Sequence, residues 1–164
     1  MALINQSDAH ANWSEALALW NRIANWIHYR TSEMELRQQF KTMLVYLWNE
    51  KDWLKQQFPS EAKAIEQAIN ASKYMGIVGD LANTVKHRKL TKRPRSVAAQ
   101  TNFFGKVTVS GGAERRMYYI DLGNGKHEEI MTVLREAMDE FSELRLELLS
   151  GSVLSKKTDS SETH

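Results

Sequence analysis

The sequence predicts a mainly α protein: a four- to five-helix bundle with one β-hairpin inserted before its last helix. Three observations carry this. Apolar residues recur at three- and four-residue steps through most of the chain. That period gives way once, between about residues 100 and 122, to a β-branched and aromatic stretch folded around Gly111-Gly112. The turn signals between periodic segments leave short connections, as helical bundles have.

The first helix is expected from about Asp8 to Tyr29, with Trp13, Leu17, Trp20, Ile23, Ala24 and Ile27 on one face and Ser7 or Asp8 as N-cap. The second opens near Thr31-Ser32. Glu33 and Glu35 lie in its first turn, where carboxylates suit the positive dipole end. Its stripe is Leu36, Phe40, Met43, Leu44, Leu47 and Trp48; Trp53, Leu54 and Phe58 extend it or form a second piece, and Pro59 stops it. A third helix, capped by Ser60, is drawn to about Arg88, with Ile65, Ile69, Met75, Val78, Leu81 and Val85 facing inward. Gly76 and Gly79 within it imply a close backbone approach, a kink, or a break near Tyr74–Gly76 that makes two helices of residues 60–88.

Pro94 places Thr91–Arg95 in a loop. Phe103, Phe104, Val107 and Val109, then Met117–Leu122, form the hairpin strands, and Gly123-Asn124-Gly125 is a second turn. The last helix is expected from about Lys126 to Leu149, ended by Gly151. Residues 1–150 therefore read as one helical domain and 151–164, rich in Ser and Thr, as a disordered tail. An isolated hairpin is marginal in water, so Phe103, Phe104, Tyr118 and Tyr119 must pack on the bundle or on a partner protein.

Composition excludes several chemistries. The chain has 164 residues, 42% apolar and 26% charged, as an ordinary globular domain has. With no cysteine it has no disulfide framework, zinc–thiolate site or thiol nucleophile. Met1–Gln6 lacks the basic and apolar regions of a signal peptide, and no apolar run spans a bilayer, so a cytoplasmic location away from membranes is expected. Histidine spacing fits no metal motif, and no phosphate-loop, dinucleotide or GxSxG pattern occurs, so neither metal nor cofactor is expected.

Net charge is only +2, but its distribution is uneven. Lys86, Arg88, Lys89, Lys92, Arg93 and Arg95 cluster with His87 and without an acid, as a phosphate-contacting patch does. A solvated basic loop facing an acidic helix is the alternative. On a helix, Asp80, Asn83, Thr84 and His87 fall at steps of three and four and share a face. A carboxylate, an amide and a hydroxyl can orient an imidazole, whose titration near neutral pH lets it move protons. His87 is thus the candidate catalytic group, with Asn83 and Asp80 beside it. The competing reading is a helix C-terminus whose bases answer the negative dipole end.

The string Asp80-Leu81-Ala82-Asn83-Thr84-Val85-Lys86-His87, followed by a basic loop, an aromatic hairpin and a final helix, resembles a group of bacterial and phage proteins with a DLAN-x-x-KH helix signature. The layout over roughly Ala62 to Leu149 is similar to the HEPN superfamily (higher eukaryotes and prokaryotes nucleotide-binding domains). That resemblance implies a helical bundle, often dimeric, that cleaves RNA without metal. A His would act as general acid/base on the ribose 2′-hydroxyl, and an Arg a few residues upstream would stabilise the developing charge. His87 stands at the His position, but no Arg lies between Arg37 and Arg88, so the upstream Arg of the motif is absent.

The expected function is therefore binding of RNA or nucleotide phosphate through the basic loop, by a HEPN-like domain that is either a metal-independent ribonuclease or a degenerate one, with a homodimer compatible. The alternative is a non-catalytic protein-interaction module, an accessory subunit of a phage-defence system or a phage-encoded inhibitor of one. In that case the hairpin aromatics would dock the partner.

Overall fold

The computed structural model describes residues 6–26, 32–87, 100–110, 113–122 and 125–151, with side chains over 10–25, 32–86, 117–122 and 125–151. The order is α1 (Gln6–Trp26), α2 (Glu33–Gln57), a 3₁₀ turn (Pro59–Glu61), α3 (Ala62–Ala71), α4 (Lys73–His87), β1 (Gln100–Ser110), β2 (Ala113–Asp121), β3 (His127–Glu129) and α5 (Ile130–Ser150). The helical bundle with an antiparallel hairpin before its last helix is the fold the sequence predicts.

Helix termini follow local chemistry. Ser32 caps α2: its Oγ accepts from Glu35 N at 3.2 Å and donates to Glu35 Oε2 at 3.0 Å, a reciprocal cap that satisfies an otherwise orphaned donor. Pro59 ends α2 and starts the 3₁₀ turn, so Ser60 lies within that turn and caps nothing. Ser7 and Asp8 likewise lie inside α1. Of the alternatives for residues 60–88, the structure has two helices. Ser72, in extended conformation, separates α3 from α4, and its Oγ accepts from Met75 N at 3.0 Å. Ser72 Oγ also donates to Glu140 of α5. The break thus falls before Tyr74, where a serine caps the next helix, rather than at a glycine.

α4 is the central helix. Every residue from Met75 to Ala82 is buried, because α4 is packed by α2, α3, α5 and the sheet. A helix buried all round has no polar face to spare. Gly79 makes the closest approach: a Cβ there would lie 2.6 Å from Trp48 Cη2. Phe40, Met43 and Leu47 of α2, Leu81 of α4, and Val133, Leu134 and Phe141 of α5 form the core around it.

β1 pairs with β2 in a register that sets Ser110 opposite Ala113, Phe103 opposite Ile120 and Phe104 opposite Tyr119. The Gly111-Gly112 turn lies outside the described residues. The expected start of the last helix near Lys126 is corrected: His127–Glu129 form a third strand paired with Tyr119–Asp121. Glu129 then caps α5, its carboxylate accepting from Met131 N and Thr132 N, both at 2.9 Å. Three residues are too few to show a strand period. At the other end Gly151, at φ 70°, closes α5 as expected. The proposed tail from residue 152 onward lies outside the described residues. No helix among the described residues is long and apolar enough to cross a membrane.

Candidate nucleic-acid interface

The polar face predicted on α4 is divided by the fold. Asp80 is 1% exposed. No buried side-chain nitrogen or oxygen among the described residues lacks a hydrogen-bond partner, so its carboxylate is satisfied inside the protein. A sealed carboxylate cannot meet a substrate directly, so the part left to Asp80 is that of orienting a neighbouring group. Asn83 and Thr84 are half-buried, and Thr84 Oγ1 donates back to the Asp80 carbonyl at 2.9 Å. His87 is the last residue of α4. Its side chain lies outside the described residues, as do Arg88, Lys89, Lys92, Arg93 and Arg95.

Lys86, at the same end of α4, is exposed and crosses to α2, where its Nζ donates to Asn49 Oδ1 at 2.9 Å. That bond marks the edge of an open groove of about 390 Å³ along the outer face of α2. Gln38, Lys41, Thr42, Tyr46 and Asn49 give it polar groups; Val45 and Val85 give it apolar surface. These positions recur at three- and four-residue steps on the side of α2 opposite Leu36, Phe40, Met43 and Leu47.

The charge balance of this groove is one-sided. Other α2 cations have acid partners: Arg37 pairs with Glu33 at 2.7 Å, and Lys55 with Glu66 at 2.7 Å. Lys51 sits 3.6 Å from Glu66 and over the Trp48 ring. Lys41 and Lys86 pair with no carboxylate among the described residues, and no acid lines the groove. The local potential is therefore positive, and in the sequence Lys86 opens the basic run.

The hairpin aromatics part company. Tyr118 is 3% exposed, its ring edge-on to Phe40 with centroids 5.3 Å apart, so it packs on the bundle and cannot serve a partner. Tyr119 is half-buried, its hydroxyl 3.8 Å from Met117 Sδ. The Phe103 and Phe104 side chains lie outside the described residues.

Sequence reasoning missed two polar clusters, both on α2. One is the groove, whose signal was a lysine among uncharged outward positions on a helix that elsewhere pairs its charges. The other is internal. Glu50 is fully buried. It accepts from Asn12 Nδ2 at 2.7 Å and from Arg145 of α5. Arg145 also reaches His10 Nδ1 at 2.9 Å and lies 5.3 Å from the Trp13 ring centroid. Nothing in the spacing of α2 distinguishes Glu50 from a solvated glutamate until Asn12 and Arg145 are brought to it from distant parts of the chain. Among the described residues no group of three or more His, Cys, Asp or Glu is placed to hold a metal ion. No protein-family model, curated protein or solved structure matches this chain.

Proposed function

We propose that this chain binds RNA or nucleotide phosphate at the groove formed by the outer face of α2 and the C-terminal end of α4. The observation that carries the reading is the charge state of the groove: among the described residues Lys41 of α2 and Lys86 of α4 flank a surface with no carboxylate, while the other cations of α2 have acid partners. Polyanion backbones gain most of their affinity from such sites, and the gain falls with salt. His87, Arg88, Lys89, Lys92, Arg93 and Arg95 follow directly in the chain and would extend the contact. The resemblance of the Asp80–His87 string and of the element layout to HEPN domains would imply the same ligand class.

The test is fluorescence anisotropy of a labelled RNA across a salt series. Lys41→Glu with Lys86→Glu should weaken binding and lower the salt slope by roughly 0.7 for each phosphate that no longer meets a cation. Arg93→Ala with Arg95→Ala should do the same to a smaller extent. Affinity unchanged in both double variants contradicts the proposal. Cleavage is a separate property: His87→Ala should abolish it and leave the fold intact.

A second reading, as a protein-interaction module, draws on a different surface. Leu146 and Leu149, one turn apart on α5, are 64% and 57% exposed. A chain that ignores nucleic acid at low salt, yet binds a protein partner in a way that Leu146→Glu with Leu149→Glu abolishes, would favour it.

A further inference from the structure

Tyr46 and Asn49 stand one turn apart on α2 and both line the groove. Lys86 Nζ donates to Asn49 Oδ1. An ammonium only donates, so this bond fixes the amide: its oxygen faces Lys86 and its NH₂ remains as donor. Tyr46 is anchored from the opposite side. Its backbone carbonyl accepts from Asn12 Nδ2 at 3.1 Å, and the same amide is held by buried Glu50. An oriented donor and a half-buried aromatic residue packed against the core thus stand beside two cations that no carboxylate among the described residues neutralises.

A bare phosphate would use only the cations. An aromatic ring and an amide of fixed polarity suit the face and edge of a nucleobase. The groove, at about 390 Å³, lies near the lower end of the roughly 300–1,000 Å³ range of small-ligand sites, which suits one nucleotide unit. The geometry points to an unpaired nucleotide as the occupant. Its phosphate meets Lys86 beside Asn49, its base lies against Tyr46, Asn49 donates to an acceptor on the base edge, and Lys41, two turns earlier on α2, is left for a neighbouring phosphate. This rests on the phosphate-binding reading and narrows it. The groove takes single-stranded RNA or a free nucleotide and rejects a duplex, whose base faces stay inside the stack.

The experiment compares one fluorescein-labelled RNA strand, alone and annealed to its complement, at equal salt, with unlabelled UMP and AMP as competitors. The single strand should bind at least about tenfold tighter than the duplex, equivalent to about 1.4 kcal/mol. Tyr46→Ala should weaken single-strand binding at least about fivefold, with Tyr46→Phe retaining it and the salt slope unchanged. Asn49→Ala, at an exposed hydrogen bond, should also weaken it and carries the test if Tyr46→Ala fails to fold. Competition by millimolar mononucleotide supports the inference with a free nucleotide as ligand; competition by strands alone supports it with RNA as ligand. Equal binding of strand and duplex, with Tyr46→Ala or Asn49→Ala unchanged, overturns base recognition and leaves phosphate binding standing. Failure of the wild-type protein to bind either form overturns both.

Discussion

Asn49 and Glu50 are adjacent in the chain and serve opposite regions of the molecule. Asn49 lines an open groove beside cations that have no acid partner among the described residues. Glu50 is fully buried, with both oxygens engaged by Asn12 and Arg145. The inward cluster is closed: its donors and acceptors satisfy one another, and they tie α1, α2 and α5 together. The outward cluster is open: its charge is balanced by nothing in the described residues. Buried polar groups that complete one another specify a fold; accessible charge left without a counter-charge is available to a ligand. The same helix carries both, one residue apart.

The largest effect should come from the closed cluster. Glu50→Ala leaves the Arg145 guanidinium buried and uncompensated, which should cost about 3–5 kcal/mol in urea unfolding. Replacing the pair together, Glu50→Leu with Arg145→Met, should recover most or all of that stability. A small cost for Glu50→Ala would break the comparison, since the two clusters would then be energetically alike. Next is Gly79→Ala. Its Cβ would press on a buried indole at 2.6 Å, an overpacking expected to cost about 1–3 kcal/mol.

A smaller effect marks the edge between core and surface. The Glu128 carboxylate, hydrogen-bonded to Lys73, raises the Lys73 pKa from its ordinary 10.5, against an opposing desolvation. A raised folded-state pKa adds stability that is whole below the unfolded value and fades as pH climbs through the folded one. Lys73→Met should therefore cost something at neutral pH, with the difference closing above about pH 10.5. Its side chain is 57% exposed, and solvent screening holds the cost to under about 1 kcal/mol. The smallest stability change belongs to the open cluster: Lys41→Glu with Lys86→Glu should shift unfolding by no more than about 0.5 kcal/mol while weakening RNA binding. A large destabilisation there would mean that the groove cations hold the fold.

Much of the fold was legible because it is written in local chemistry. Ser32 with Glu35 starts a helix, and Pro59 and Gly151 end helices, as their side chains and backbone dictate, and the stripe of α2 matches its buried face. What was not legible depends on tertiary partners. Ser72 becomes a cap only where the chain turns between α3 and α4. His127–Glu129 become a strand only because β2 offers an edge. At the site, spacing correctly put Asp80, Asn83 and Thr84 on one helix but could not tell that core packing encloses Asp80. The groove residues of α2 were invisible for the converse reason: outward polar positions on a helix look alike until the charge of their surroundings is known.

The most direct measurement is a ¹⁵N-resolved NMR titration of the full chain with a short single-stranded RNA. Amide shifts concentrated at Lys41, Thr42, Tyr46, Asn49, Val85 and Lys86, with the Glu50 cluster unperturbed, are the result expected of an open site resting on a closed one. Shifts gathered instead around Leu146 and Leu149, or none at any RNA concentration, would contradict it.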